Sequence, residues 1–397
     1  MKIKTLIATF MLLSSLIVAG CGGGGGSSGG GNTTGGDTGG GSDGGNSGGD
    51  SGGGATDPLG AVGTKEQEAV RLFTALADDI IGPDYAGFQT AVGDMQTLLG
   101  GLCATPSTAS LSEAQQAWRD AMDGWQRVQG VRFGPVDADN VYFRIQFFPD
   151  NNDAVLNNVG QVLAATDPVN EALIAGSAVG AQGLPALEYL LFELQGLDDP
   201  TDGPRRCDLV NAIGANLATM AADLVSQWQQ GGAFYTDFVN ASGTSFIDVD
   251  DVLTTLLEAL ALQAESIGDQ KLRDAIANGE VDQLESYRAE HSLANLRQNI
   301  AAYADWMDDS EDATYRVADY VQRVLESDTL ADQVAQEITA ADTAADSITA
   351  TLEDIVAGQA TGDIESVRLA FQNLADLMVD IAVAAGLELG FNNQDGD

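Results

Sequence analysis

The chain is poor in the residues that build common catalytic sites, since its 397 residues include one histidine and three cysteines. A single histidine leaves too few nitrogen ligands for an ordinary zinc-protease site, and no His-Glu-x-x-His helix is present. After the glycine-rich tract at residues 22–58, the sequence contains neither a Gly-x-Ser-x-Gly nucleophile turn nor a phosphate-cradling glycine loop. A zinc protease or a serine hydrolase therefore cannot be assembled from this sequence in the usual way.

Basic residues are also scarce: 17 Lys and Arg stand against 59 Asp and Glu, which gives a formal net charge of −42. Nucleic acid requires a basic surface to neutralise its phosphates, so we expect no nucleic-acid partner. The acidic excess is typical of a solvated acidic surface, and it also suits cation-rich or salty surroundings. It does not by itself indicate a metal site, although a site built from oxygen ligands alone stays open.

The N-terminus has the pattern of an export signal. Two lysines precede an apolar stretch at residues 6–18, and two small residues then lead to Cys21. This ending resembles the lipobox of bacterial lipoproteins, in which the cysteine is lipidated and becomes the new N-terminus. We predict a lipoprotein signal peptide at residues 1–20 and a lipid anchor at Cys21 that attaches the protein to a membrane of the bacterial cell envelope. An ordinary secretory signal that contains a cysteine is the alternative.

Residues 21–58 are predicted to form a lipidated, flexible tether. Small and polar residues fill nearly all of this tract, which has no large apolar side chain and cannot bury a core. Its root-mean-square reach is about 30–35 Å for a glycine-rich coil. Gly22 directly after the cysteine resembles the sorting preference for the outer membrane, so we expect the body to be tethered there.

Cys103 and Cys207 remain once Cys21 is assigned to the lipid. In an oxidising compartment an isolated pair most simply forms one disulfide. The bond would close a long loop, which in the chain-entropy model stabilises the fold by about 4–5 kcal/mol. Two free buried thiols are the alternative.

Helical periodicity is the common signal after residue 58, and the expected fold class is all-α. Apolar side chains recur at spacings of three and four from Leu293 to Met307, as on the buried side of a bundle helix. The length predicts two packed helical bundles, a first at residues 59–240 and a second at residues 241–397. Ser112 with Gln115 resembles a capping box and predicts the start of a long helix.

One charged residue, Glu188, lies within the apolar stretch at residues 172–192. On a helix that begins near Pro185, the helical repeat places Leu184 and Leu191 beside it. A buried carboxylate must hold a proton or find a cation or hydrogen-bond donors. Two interpretations stay open: Glu188 caps its helix or pairs with an arginine for structural reasons, or it is a ligand or an acid–base group in a cleft.

Two arginines are candidate charge partners for Glu188. Arg132 follows Trp118 and Trp125 at seven-residue spacing, so one helix running to about Arg132 would carry all three on one face. The tryptophans then form core or cleft wall. Arg144 lies in an aromatic-rich stretch, and an inward-facing arginine in either place requires an anion.

The stretch Gly183-Leu184-Pro185-Ala186-Leu187-Glu188-Tyr189 resembles the imelysin family, as do Ala117-Trp118-Arg119 and Arg132-Phe133-Gly134-Pro135. The resemblance covers most of residues 66–397. It implies two helical bundles with a site at their interface, in a family that includes iron-regulated surface lipoproteins and proteins labelled as metallopeptidases. The family signature is Gly-x-His-x-x-Glu. Gly183 and Glu188 match it, but Pro185 occupies the histidine position, which weakens the peptidase interpretation because proline offers no lone pair to a metal.

The lone histidine is His291, and a single histidine is more often a surface residue or one with satisfied hydrogen bonds than a ligand. Ser292, Asn295 and Asn299 after it form a polar stripe. These side chains could hydrogen-bond across to the first bundle or face solvent. If a metal binds, Glu188 and His291 are its candidate ligands, and a divalent metal or iron is the candidate cofactor.

The leading functional hypothesis is a non-catalytic, imelysin-like envelope lipoprotein that binds a small ligand or a metal at the bundle interface and serves iron acquisition. An imelysin-type metallopeptidase, with Glu188 as base or ligand and His291 supplied from the second bundle, is one alternative. A structural envelope lipoprotein is the other. The candidate ligand-binding residues are Gly183, Glu188, Trp125, Arg132, Arg144, Ser292 and Asn295.

Overall fold

The computed structural model describes residues 59–150, 152–307 and 313–390. Within these ranges the chain forms helices, turns and loops and contains no strand, so the predicted all-α class is confirmed. The predicted signal peptide at residues 1–20 and the whole predicted tether at residues 21–58, including Cys21, lie outside the described residues.

The α-helices follow one another through short connections. In chain order they are α1 (Lys65–Ala75), α2 (Gly82–Ala104), α3 (Thr108–Val128), α4 (Val141–Ile145), α5 (Ala154–Ala164), α6 (Glu171–Ala175), α7 (Gly183–Glu188), α8 (Gly203–Trp228), α9 (Ala233–Asn240), α10 (Val249–Glu265), α11 (Asp274–Asn278), α12 (Ser292–Met307), α13 (Val317–Arg323), α14 (Asp328–Ser347), α15 (Leu352–Val356) and α16 (Ile364–Ala385). Short 3-10 helices lie at Gly134–Val136, Ala138–Asn140, Val179–Ala181, Val281–Gln283 and Tyr287–Ala289.

Helix α3 begins earlier and ends earlier than the sequence predicts. Ser107 is its N-cap, because the Ser107 hydroxyl accepts from the Ser110 backbone N–H at 3.1 Å and Ser110 returns the bond. The capping box predicted at Ser112 is therefore wrong. The helix ends at Val128, so Arg132 lies beyond it and does not continue the face that carries the two tryptophans.

π-Helical turns interrupt the regular helices at three places in the described chain. They lie at Leu76–Ile81 between α1 and α2, at Tyr189–Leu194 directly after α7, and at Ser266–Arg273 between α10 and α11. Such turns are rare in proteins and are frequently found at functional sites. Two of them flank the residues described in the next subsection.

The helices pack around one continuous hydrophobic core that runs from Ala69 to Leu387. Helix α2 packs against α3 and α8, while α16 packs against α10 and α14, and α12 joins the two groups by packing against α3. A disulfide between Cys103 and Cys207, with Cα atoms 5.5 Å apart, ties α2 to α8. The division into two bundles near residue 240 stays a prediction.

Helix α8 is long and apolar enough to cross a membrane by length and composition. More than half of its apolar stretch is nevertheless buried inside the protein, against α2, α6, α7 and α9. This is the packing of a core helix.

Candidate functional site

A glycine fixes the start of the short helix that carries Glu188. Gly183 has φ of +68°, in the left-handed region. A Cβ atom at this position would lie 2.2 Å from the carbonyl oxygen of Ile145 and 2.4 Å from that of Arg144. No other residue fits this close approach to the end of α4. Gly183 therefore acts as a packing residue that sets where α7 begins.

Glu188 is buried, with 3% of its surface exposed. Its Oε1 atom accepts a hydrogen bond from the backbone N–H of Ala289 at 3.1 Å. Burial raises the pKa of Glu188 to about 7, while the charge of Arg288 and the backbone N–H groups of Ala289 and Arg288 oppose the rise. The carboxyl group therefore changes its protonation state near neutral pH.

The donors to Glu188 come from a strained turn in the distant part of the chain. The 3-10 helix Tyr287–Ala289 lies between Ser286 and Glu290, whose φ values of 64° and 50° are left-handed. Such conformations are uncommon for residues other than glycine and persist where surrounding contacts hold them. The carboxyl of Glu188 is one of those contacts.

Ser292 and Asn295 hold the same turn from the other side. Ser292 Oγ donates to the carbonyl oxygen of Glu285 at 2.6 Å and also contacts Glu353. Asn295 Nδ2 donates to Ser286 Oγ at 2.8 Å and to Glu285 Oε2 at 3.2 Å. Both side chains are buried, so the polar stripe predicted on α12 faces the protein interior and positions the loop that contacts Glu188.

A cavity of about 600 Å³ opens against this loop. Its walls come from residues 146–150 with Asp153 and Val155, from Pro185 and Glu188, and from several residues between 270 and 288. It therefore lies between segments from both sides of the predicted bundle boundary. Phe147, Phe148 and Tyr287 supply aromatic surface to the walls.

A buried ion pair lies beside the cavity. Lys271 Nζ is 2.8 Å from Glu285 Oε2, and both side chains are almost fully buried. Lys271 also donates to Gln126 and Asn299 at 2.7 Å each, and Gln146 Nε2 donates to Glu285 Oε1 at 3.0 Å. Burial lowers the pKa of Lys271, and the partner carboxylate opposes this shift.

Sequence reasoning missed the Lys271–Glu285 pair, although a signal was present. Lys271 lies four residues after Ile267 and four before Ala275, both of which are buried. A lysine on the apolar side of a helix requires a buried acid or acceptor, just as Glu188 does. Nothing in the sequence spacing identifies Glu285 as that acid, because the partner comes from a loop.

The two arginines proposed as partners of Glu188 contact other groups. Arg144 Nε donates to Gln182 Oε1 at 3.1 Å and its guanidinium reaches Asn216 Oδ1 at 3.4 Å. The guanidinium of Arg132 lies 4.3 Å from the ring centre of Tyr142, in a cation–π contact. The basic residue whose charge acts on Glu188 is Arg288, which sequence reasoning did not single out.

The two tryptophans of α3 belong to the core. Trp118 Nε1 donates to the carbonyl oxygen of Leu184 at 2.9 Å, which ties α3 to α7. Trp125 is fully buried between Phe88 and Tyr142, with ring centres 5.5 and 5.4 Å away. Trp118 therefore positions the helix of Glu188.

His291 contacts an acid on α3. Its Nε2 atom lies 2.8 Å from Asp123 Oδ1, and its ring packs edge-on against Trp118. In the described part of the chain, no group of three or more His, Cys, Asp or Glu side chains could hold a metal ion. Metal ligation by Glu188 and His291 stays a prediction.

Comparison with known proteins identifies the family and the fold. The sequence profile of the imelysin (peptidase M75) family matches residues 81–381. Iron-regulated protein A of Synechococcus elongatus is 24% identical over 227 residues, which are 56% of this chain and 59% of that protein. The match thus spans less than two thirds of that relative's length.

Two solved structures share the fold. An imelysin-like protein from Psychrobacter arcticum superimposes with a TM-score of 0.62 at 19% identity, over 83% of this chain and 99% of that one. A protein from Parabacteroides distasonis, named as an iron-regulated protein A precursor, has a TM-score of 0.67 at 16% identity, over 82% and 96% of the two chains. The resemblance to the imelysin family that the sequence motifs carry is confirmed.

Proposed function

The chain belongs to the imelysin family, and we propose that it is a non-catalytic binding protein that takes a small ligand or a metal ion into the cavity around Glu188. The observation that carries the proposal is this cavity of about 600 Å³, with a buried carboxyl group of pKa about 7 in its wall. Buried titratable groups in well-formed cavities are typical of functional sites.

We propose that this binding serves iron acquisition. The support comes from the names of two similar proteins, both of which are iron-regulated protein A or its precursor. The proposal extends that relation to this chain.

The bacterial cell envelope is the proposed location. The support is the lipobox-like sequence that ends at Cys21 and the glycine-rich tract at residues 22–58. A lipid anchor at Cys21 would hold the folded body near the outer membrane, and the tract would let it move by about 30–35 Å.

The functional test is iron uptake in cells. A strain that lacks the gene is complemented with the wild type, with Glu188→Gln or with Glu113→Gln, and uptake of radioactive iron is measured under iron limitation. We expect Glu188→Gln to take up as little iron as the strain without the gene. Glu113 is exposed on α3, so Glu113→Gln should restore uptake fully. Equal uptake with Glu188→Gln and with wild type would contradict the site.

The metallopeptidase alternative makes a different prediction. Proteolysis by the purified protein that disappears with a chelator and returns with zinc would contradict the non-catalytic role. Pro185 in place of the signature histidine speaks against such activity, because a zinc site in this motif needs the histidine nitrogen.

A further inference from the structure

We infer that the ligand of the cavity around Glu188 is a small organic cation, with ammonium or guanidinium N–H groups that donate to acceptors on the cavity floor beneath an acidic rim. The inference rests on the proposed binding function and adds the chemical class of the ligand.

Exposed carboxylates form the rim of the cavity. Asp153, Asp274, Glu280 and Asp282 line it and are exposed to solvent, and they come from loops and helix ends in two separate segments of the chain. A cleft lined by one sign of charge concentrates ligands of the opposite sign. The rim therefore favours cations over neutral or anionic molecules.

Among the described residues that line the cavity, Arg288 is the basic one, and other groups offset its charge. Its Nε atom lies 2.6 Å from Glu193 Oε2, and its guanidinium stacks 4.5 Å from the ring centre of Tyr287. Glu193 does not line the cavity. The positive charge of Arg288 is thus paired with a carboxylate that does not line the cavity, and the cavity keeps its acidic character.

The floor contains a buried acceptor that has no donor. Gln146 is 3% exposed, and its amide nitrogen donates a hydrogen bond to Glu285 Oε1 at 3.0 Å. Within the described residues no group donates to its carbonyl oxygen. Gln146 itself lines the cavity, and a turn of its side chain would present this unpaired oxygen to a ligand that brings an N–H or O–H donor.

Glu188 supplies the second acceptor on the floor, and it suits a cation in particular. Its buried carboxyl group is poised to lose a proton near neutral pH, and a cation placed beside it would stabilise the ionised form. The rings of Phe147 and Phe148 also line the cavity, and aromatic rings attract ammonium and guanidinium groups.

A bare metal ion fits this arrangement less well. Calcium requires six to eight oxygens at about 2.3–2.6 Å around one point. The carboxylates are instead dispersed around the cavity, and no described group of three or more could hold a metal ion. Dispersed acceptors suit a cation that carries several donors along its length. The volume of about 600 Å³ lies within the range of roughly 300–1,000 Å³ usual for small-molecule sites.

The experiment is calorimetric titration of the full-length chain in detergent. The probes are spermidine and argininamide as organic cations, and calcium, zinc and ferrous ions as metals, all at one ionic strength. The variants are Glu188→Gln for the floor and the pair Asp153→Asn with Asp282→Asn for the rim. The matched control is Asp332→Asn with Asp342→Asn, which removes the same charge from exposed positions on α14.

We expect at least one organic cation to bind at one site per chain. The floor and rim variants should each weaken this binding about tenfold, because each removes acidic charge that attracts the cation. The control pair should bind as the wild type does.

Three outcomes would overturn the inference and are distinguishable. If a metal ion binds in a manner that depends on Glu188 and neither amine does, the ligand class is wrong and the proposed binding function stands. If no probe binds in a manner that depends on Glu188, the proposed function fails with it. A control pair that weakens amine binding as much as the rim pair would show that the binding reflects net charge alone.

Discussion

Glu188 couples the stability of the fold to pH. Its pKa in the folded protein is about 7, raised from 4.5, because burial disfavours the ionised form. The protonated carboxyl group of Glu188 makes its full contribution to the stability of the fold below pH 4.5. This contribution is lost as the pH rises through about 7. A shift of this size corresponds to a loss of about 3 kcal/mol.

We therefore expect Glu188→Gln to become more stable relative to the wild type as the pH rises. The difference in the free energy of unfolding should change by about 3 kcal/mol between pH 4.5 and pH 8.5. Urea denaturation at several pH values measures it. Parallel stability curves for the two proteins would show that Glu188 titrates normally and is not buried.

Gly183 makes a second prediction at the level of a single residue. Gly183→Ala should destabilise the protein by about 3 kcal/mol or more, because the new Cβ collides with the carbonyl oxygens of Ile145 and Arg144 at an unfavourable φ. Gly87→Ala is the matched control, since its Cβ meets no atom within 4 Å on helix α2. That control should stabilise the protein by about 0.5–1 kcal/mol. Equal effects in chemical denaturation would contradict the packing described.

At the level of elements, the Lys271–Glu285 pair joins a π-helical turn to the loop that contacts Glu188. Lys271→Met leaves Glu285 buried without its cation, which costs about 3–5 kcal/mol. Lys65→Met is the matched control, because Lys65 pairs with Asp250 on the surface, where such pairs contribute about 0–1 kcal/mol. Denaturation midpoints of the two variants measure the difference. Similar midpoints would mean that the buried pair does not hold the loop.

The sequence predicted elements well where the signal is local. Helical periodicity identified the helix class and the buried side of α12, from Leu296 to Met307. The lone acid in an apolar stretch led correctly to a buried carboxyl group at Glu188. These inferences need only the helical repeat and the cost of burying charge.

The sequence failed where the answer depends on long-range contacts or on a choice between similar caps. Ser107 and Ser112 both precede helix-forming residues, and the reciprocal bonds of Ser107 with Ser110 decide between them. The donors to Glu188 lie about a hundred residues away in the turn Tyr287–Ala289, which local spacing cannot predict. The same holds for the pairing of Lys271 with Glu285.

At the level of the whole molecule, the disulfide joins residues 104 positions apart and ties α2 to α8. Replacing both Cys103 and Cys207 with alanine should lower the free energy of unfolding by about 4–5 kcal/mol, since the unfolded chain regains the entropy of a long open loop. Addition of a reductant should lower the stability of the wild type to that of the variant. If the reductant leaves the free energy of unfolding of the wild type unchanged, the two cysteines are free thiols.

The first described residues, 59–63, are bound to the rest of the folded body. Arg71 donates to the carbonyl oxygen of Leu59 at 2.8 Å, and Arg323 on α13 donates to that of Gly60 at 3.0 Å. Glu68 accepts from the Gly63 backbone N–H at 2.7 Å. These contacts hold residues 59–63 against helices α1 and α13.

The proposed anchor gives a prediction for the intact protein in cells. Cys21→Ser should abolish labelling with a radioactive fatty acid and move the protein from the membrane fraction to the soluble fraction, because no acyl chain can then attach. The double alanine variant at Cys103 and Cys207 is the control and should keep its label. Continued labelling of Cys21→Ser would refute the assignment of the lipid to this residue.

The account depends most on the claim that the cavity beside Glu188 holds a ligand in the cell. Native mass spectrometry of protein isolated from iron-limited bacteria tests this claim most directly. We predict that the wild type carries an additional bound mass and that Glu188→Gln, folded to the same extent, carries none. An unliganded wild type, or the same bound mass on both proteins, would contradict the account.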